Sequence, residues 1–176
     1  MSELSSYPAA PNAAEFGPFG TYMSLVPAGN IRDILVDQLA EVKKVVGGIP
    51  EMEALRLHPP STWTVHQVLG HITDAERVFG YRAMRLARLD PTPLPSFDEN
   101  EYVKNATFNS VPLEELLAAF EHLRLSHIHM IAQFTPAAWA FKGTASNRAM
   151  TAAAMVYVIA GHTKHHLDIL KKRLGK

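Results

Sequence analysis

Cysteine is absent from the 176 residues, which excludes disulfides, thiolate nucleophiles and cysteine-ligated zinc. A tightly held transition metal would have to draw on histidine, aspartate and glutamate. An excess of either charge sign is also missing: 17 basic residues balance 17 acidic ones. Without a basic footprint for phosphates, nucleic acid is not an expected partner. No apolar run approaches the roughly 18 residues that span a bilayer. The opening MSELSSYPAAPNAAEF has neither a basic nor an apolar signal region. A cytoplasmic protein without a membrane partner is the expectation. Period-two alternation is nowhere convincing and no internal repeat is visible, so strands are not predicted.

What remains is helical periodicity. Residues 1–27 are rich in Pro, Gly and Ala and should form an extended N-terminal arm, with Tyr7, Phe16, Phe19 and Tyr22 lying on a surface. From Asn30 the positions Ile31, Ile34, Leu35, Leu39, Val42 and Val46 recur at helical spacing until Gly47 to Pro50 end the segment. Thr64 then reads as an N-cap to a long second helix, whose stripe includes Val68, Ile72, Ala75, Phe79, Arg82 and Leu86. The next stretch, DPTPLPSFDENEYVKNATFNS, is too long for an idle connection and predicts a functional loop. Phe97, Asp98, Glu99 and Tyr102 within it are the expected wall of a pocket. Ser110 with Pro112 should open a third helix reaching Phe134, and a fourth is expected from about Arg148 to Arg173. These four stripes predict an all-α four-helix bundle over residues 28–176, with a long crossover loop between its second and third helices.

Nine histidines are present, three of them in AGHTKHHLDIL near the end. On the last helix His162 and His166 continue the stripe of Met155, Ile159 and Ile169, one turn apart and facing inward. Such a pair can reach one ion, although His165 with His162 forms a second pair that spacing alone does not exclude. His71 occupies a core-facing position in the second helix. One buried histidine is ordinarily satisfied by a carbonyl or carboxylate. Three together cost desolvation and mutual repulsion that a divalent ion would relieve. Three nitrogens leave an open coordination position, as catalytic sites do. Asp74 and Glu76 follow His71 closely and are the candidates for a supporting acceptor or general base, set against the plainer role of solvated acids paired with Arg77 or a lysine. His58 and His66 read as surface residues and His122, His127 and His129 as surface or core. Trp63 and Trp139 read as packing anchors.

The segment TWTVHQVLGHITDAERVFGYRAMRLARLDPTPLPSFDENEYV followed by IAGHTKHHLDIL resembles the DinB-like superfamily, specifically its DinB_2-type branch, over roughly residues 28–173. That superfamily includes YfiT-like metal-dependent hydrolases, bacillithiol S-transferases and mycothiol-dependent isomerases. The resemblance implies a four-helix bundle binding a divalent metal, zinc or nickel, through His71, His162 and His166, with His165 outside. It also implies a homodimer. The function expected is metal-dependent activation of water or a low-molecular-weight thiol, for hydrolysis or S-transfer on a small molecule. A non-catalytic metal- or ligand-binding module and a metal-free histidine network are the alternatives.

Overall fold

A computed structural model describes residues 7–175; the first six residues of the expected arm lie outside them. Among the described residues the helices are α1 (Pro18–Met23), α2 (Ile31–Val46), α3 (Glu51–Ala54), α4 (Val65–Ala87), α5 (Glu99–Asn105), α6 (Leu113–Ile131), α7 (Pro136–Ala140) and α8 (Ala152–Leu174). Two 3-10 turns, Ala13–Phe16 and Phe108–Ser110, and one hairpin complete the set. The bundle is α2, α4, α6 and α8. Both α4 and α2 pack on α8 and on α6, so α2 faces α4, and α6 faces α8, across the diagonals.

Local chemistry sets the boundaries. Asn30 caps α2 by accepting from Arg32 N, and Thr64 and Gln67 cap α4 reciprocally. Thr151 accepts from Ala154 N at the start of α8, which stops at Gly175 in the left-handed conformation. The expected opening of the third helix at Ser110 is corrected. Ser110 ends a 3-10 turn, α6 starts at Leu113, and Glu51 Oε2 accepts from Leu113 N at 3.3 Å. A side chain 62 residues away in sequence thus satisfies a helix end that has no local cap.

Three further expectations change. The N-terminal stretch forms a 3-10 turn and α1 rather than remaining extended, with Phe16 and Met23 buried. Gly161 permits this, because a Cβ there would sit 1.9 Å from Tyr22 O. The fourth helix begins at Ala152, not near Arg148, since Lys142–Ala145 (β1) and Arg148–Thr151 (β2) pair antiparallel, Lys142 opposite Thr151. Four-residue strands are too short to show a period. The crossover carries α5, capped by the Asp98 carboxylate, and pairs Leu94 with Ala145.

The apolar core falls into two clusters. One gathers the start of α2, the second halves of α4 and α6 and the first half of α8. The other gathers the opposite ends. Between them lies a buried polar layer centred on Arg124 of α6. Its guanidinium donates to Glu76 Oε1 and Oε2, both at 2.7 Å, to Leu35 O at 3.3 Å, to Gln38 Oε1 at 3.2 Å and to Thr163 Oγ1 at 2.9 Å. One side chain therefore ties all four bundle helices with each of its donors used.

Candidate metal centre

His71 sits on α4 one turn beyond the capping box, and His162 and His166 sit one turn apart on α8, the helix most closely packed against α4. Their Nε2 atoms form a near-equilateral triangle: 3.0 Å between His71 and His162, 3.1 Å between His71 and His166, and 3.2 Å between His162 and His166. The ring centroids are 4.6 to 4.9 Å apart, so the rings converge with their Nε2 tips inward. An ion bound at about 2.0–2.1 Å separates its nitrogens by about 2.9 Å at octahedral angles and about 3.4 Å at tetrahedral ones. The observed edges fall between these limits, and the donor set fits a divalent transition metal. Among the described residues this is the one group of three or more such side chains close enough to share an ion.

The electrostatics agree with neutral donors. Burial pushes all three imidazoles below their ordinary value near 6.5, and neighbouring imidazoles push His162 and His166 further, His166 to about 3. Glu99 and Asp74 oppose the shift at His71. Near neutral pH the three rings are therefore uncharged, with lone pairs available to a metal.

The triad lies in the wall of a cavity of about 300 Å³. Trp63 from the loop before α4 lies with its ring centroid 4.9 Å from that of His71. Tyr22 of α1 lies edge-on to His162 and His165 at 5.2 and 5.6 Å. Phe79, about two turns along α4 from His71, meets His162 at 5.6 Å. Phe97, Glu99 and Asn100 come from the crossover and Ser146 from the hairpin turn. Burial, with the Glu99 charge adding to it, raises the Tyr22 phenol.

Not all expected residues reach this cavity. His165 lines it, but its nitrogens are outside the close triangle. Asp74 pairs with Arg77 at 2.6 Å on the outer face of α4. Glu76 is enclosed in the ion pair with Arg124, and His127 Nδ1 also donates to it at 3.3 Å. Burial would raise the Glu76 carboxyl, yet Arg124 and His127 override it and hold it below the ordinary range. Of the four expected wall residues, Phe97 and Glu99 line the cavity; Asp98 caps α5 and Tyr102 borders an adjoining groove. Among the described residues Glu99 is the only acidic one lining the cavity.

Other sequence assignments shift. His66 is fully buried rather than on the surface, because α3 covers the first turn of α4 and Glu51 accepts from His66 Nε2 at 2.8 Å. His58 lies 3.1 Å from Glu53. Trp63 is a cavity wall and not only a packing anchor, whereas Trp139 packs against Phe134 in the core. Arg82, present in the predicted stripe of α4 but given no role, lines the cavity as well. A cation inside an apolar stripe was the available signal.

The DinB superfamily model matches residues 34–170. A Geobacillus thermodenitrificans protein named "Putative metal-dependent hydrolase" is 24% identical over 170 residues, covering 90% of this chain and 94% of that protein. Among solved structures, YfiT from Bacillus subtilis is described as "a probable metal-dependent hydrolase with an unusual four-helix bundle topology". It is similar with a TM-score of 0.73 at 18% identity, over 82% of this chain and 86% of that one.

Proposed function

Because the chain belongs to the DinB superfamily, we propose that it is a metal-dependent hydrolase of small molecules, with zinc or nickel held by His71, His162 and His166. The observation that carries this is the Nε2 triangle with edges of 3.0 to 3.2 Å inside a solvent-reaching cavity. The name of the Geobacillus relative supports the same chemistry. Held by these three imidazoles, a divalent ion would supply the acidity that activates a water or a thiol.

The chain's own residues supply the remainder. Glu99 is the group positioned to take a proton, being the carboxylate in the cavity wall. Trp63, Tyr22 and Phe79 exclude bulk water and fix the imidazole orientations by ring contacts. Asp74 and Glu76 act through others: the Asp74 charge favours the protonated form of His71 and so raises its basicity, and Glu76 holds Arg124, which bonds Thr163 next to His162.

Water is preferred here over a low-molecular-weight thiol as the attacking group, and the two are separable. Metal-loaded protein should hydrolyse activated aryl esters without added thiol, and Glu99→Gln should lower kcat by about 10²-fold or more with KM little changed. Turnover seen only with bacillithiol, mycothiol or glutathione would assign S-transfer instead. The working unit in this reading is a cytoplasmic homodimer, an inference from family resemblance that light scattering on the purified protein tests.

A further inference from the structure

The bundle buries two arginines, and they differ in what neutralises them. Arg124 is fully enclosed and the Glu76 carboxylate takes two of its hydrogen bonds. Arg82 is 2% exposed, yet among the described residues no carboxylate lies within 4.0 Å of its nitrogens. Nη2 donates to Pro95 O at 2.5 Å, while Nη1 is fully buried and has no hydrogen-bond partner among the described residues. Its guanidinium carbon is 5.8 Å from the Phe79 ring centroid and 5.6 Å from that of Phe97. Both rings and Arg82 itself belong to the wall of the cavity that contains the three histidines.

A buried cation without a counter-charge is costly, and an unused N–H on it adds to the cost. Aromatic faces compensate a guanidinium only in part. The planar fork is matched to a carboxylate, which accepts from two nitrogens at once. The cavity's other large walls, Phe19, Tyr22 and Trp63, are aromatic and suited to a flat apolar body. We propose that Arg82 is the anion-recognition group of this cavity, and that the substrate is a small apolar, preferably aromatic, carboxylate whose charged end pairs with Arg82 while its body lies between the aromatic walls. This rests on the proposed function only in taking the cavity as the substrate site; it requires no metal.

Calorimetric titration of the purified protein with benzoate and its uncharged counterpart benzamide tests it, before and after metal removal by chelation. Benzoate should bind at least about tenfold more tightly than benzamide in both forms, the scale of one charge-assisted pair. Arg82→Gln should bring the two within about twofold while leaving metal content unchanged, and Arg82→Lys should keep the preference at weaker affinity. Equal binding to the wild-type protein would overturn the proposal, as would a preference that survives Arg82→Gln or that vanishes with the metal. If Arg82→Gln fails to fold, the wild-type ratio and Arg82→Lys decide it. An Arg82-dependent preference in a protein that never holds stoichiometric metal would sink the hydrolase reading and leave this one standing.

Discussion

Glu76 and Arg124 show how much a single buried pair carries. Both are almost completely enclosed, and their carboxylate and guanidinium meet at two points of 2.7 Å. Removing one partner strands the other in a low-dielectric interior, so Glu76→Ala should destabilise the protein by about 3–5 kcal/mol. Denaturant unfolding measures it, and replacing both residues by Met should recover much of the loss. At this scale the inward positions of His71, His162 and His166 were legible in the sequence, because they interrupt apolar stripes, while the exclusion of His165 rested on the family resemblance. Arg124 was not legible. Its inward position depends on Glu76, Gln38 and Thr163 from three other helices. Local patterning cannot report partners that distant.

Among the elements, the bundle helices followed from apolar periodicity, though the starts of α6 and α8 did not, while α1 and the hairpin lacked a periodic signal of their own. Helix α1 has six residues, too few to be stable alone, and exists by packing on α8 where Gly161 admits the Tyr22 backbone. Gly161→Ala should push α1 away at a cost of about 1–3 kcal/mol, seen as faster amide hydrogen exchange from Ala13 to Met23. The hairpin depends on its turn, in which Ser146 and Asn147 both have positive φ, 52° and 60°, as the favoured two-residue hairpin turn requires. Asn147→Val should cost about 1–2 kcal/mol of thermal stability, while Asn147→Gly should be neutral or slightly stabilising. Two contiguous residues with this tolerance, Ser and Asn, were a weak sign of the turn, and four-residue strands on either side gave no period to strengthen it.

At the level of the molecule, a polar layer and a histidine triad interrupt the apolar bundle at mid-height, between the two core clusters. Both make stability depend on pH in the same direction. The metal-free fold keeps the three imidazoles neutral below their ordinary value, with His166 at about 3. An unfolded chain therefore takes up protons first as pH falls. Their contribution is complete above about pH 6.5 and is lost on acidification toward pH 3. The lowered Glu76 carboxyl adds a further loss below about pH 4.5. Chelator-treated protein should show a melting temperature that falls steadily from pH 7 to pH 4. No helix among the described residues is long and apolar enough to cross a membrane.

The central claim is that three imidazoles from α4 and α8 form one metal site, and elemental analysis combined with X-ray absorption on the purified protein tests it most directly. The account predicts about one zinc or nickel per chain with three imidazole nitrogens at about 2.0–2.1 Å, lost in His71→Ala and in His162→Ala and retained in His165→Ala. A chain that takes up no stoichiometric metal, or one that keeps it after His71→Ala and His162→Ala, would contradict it.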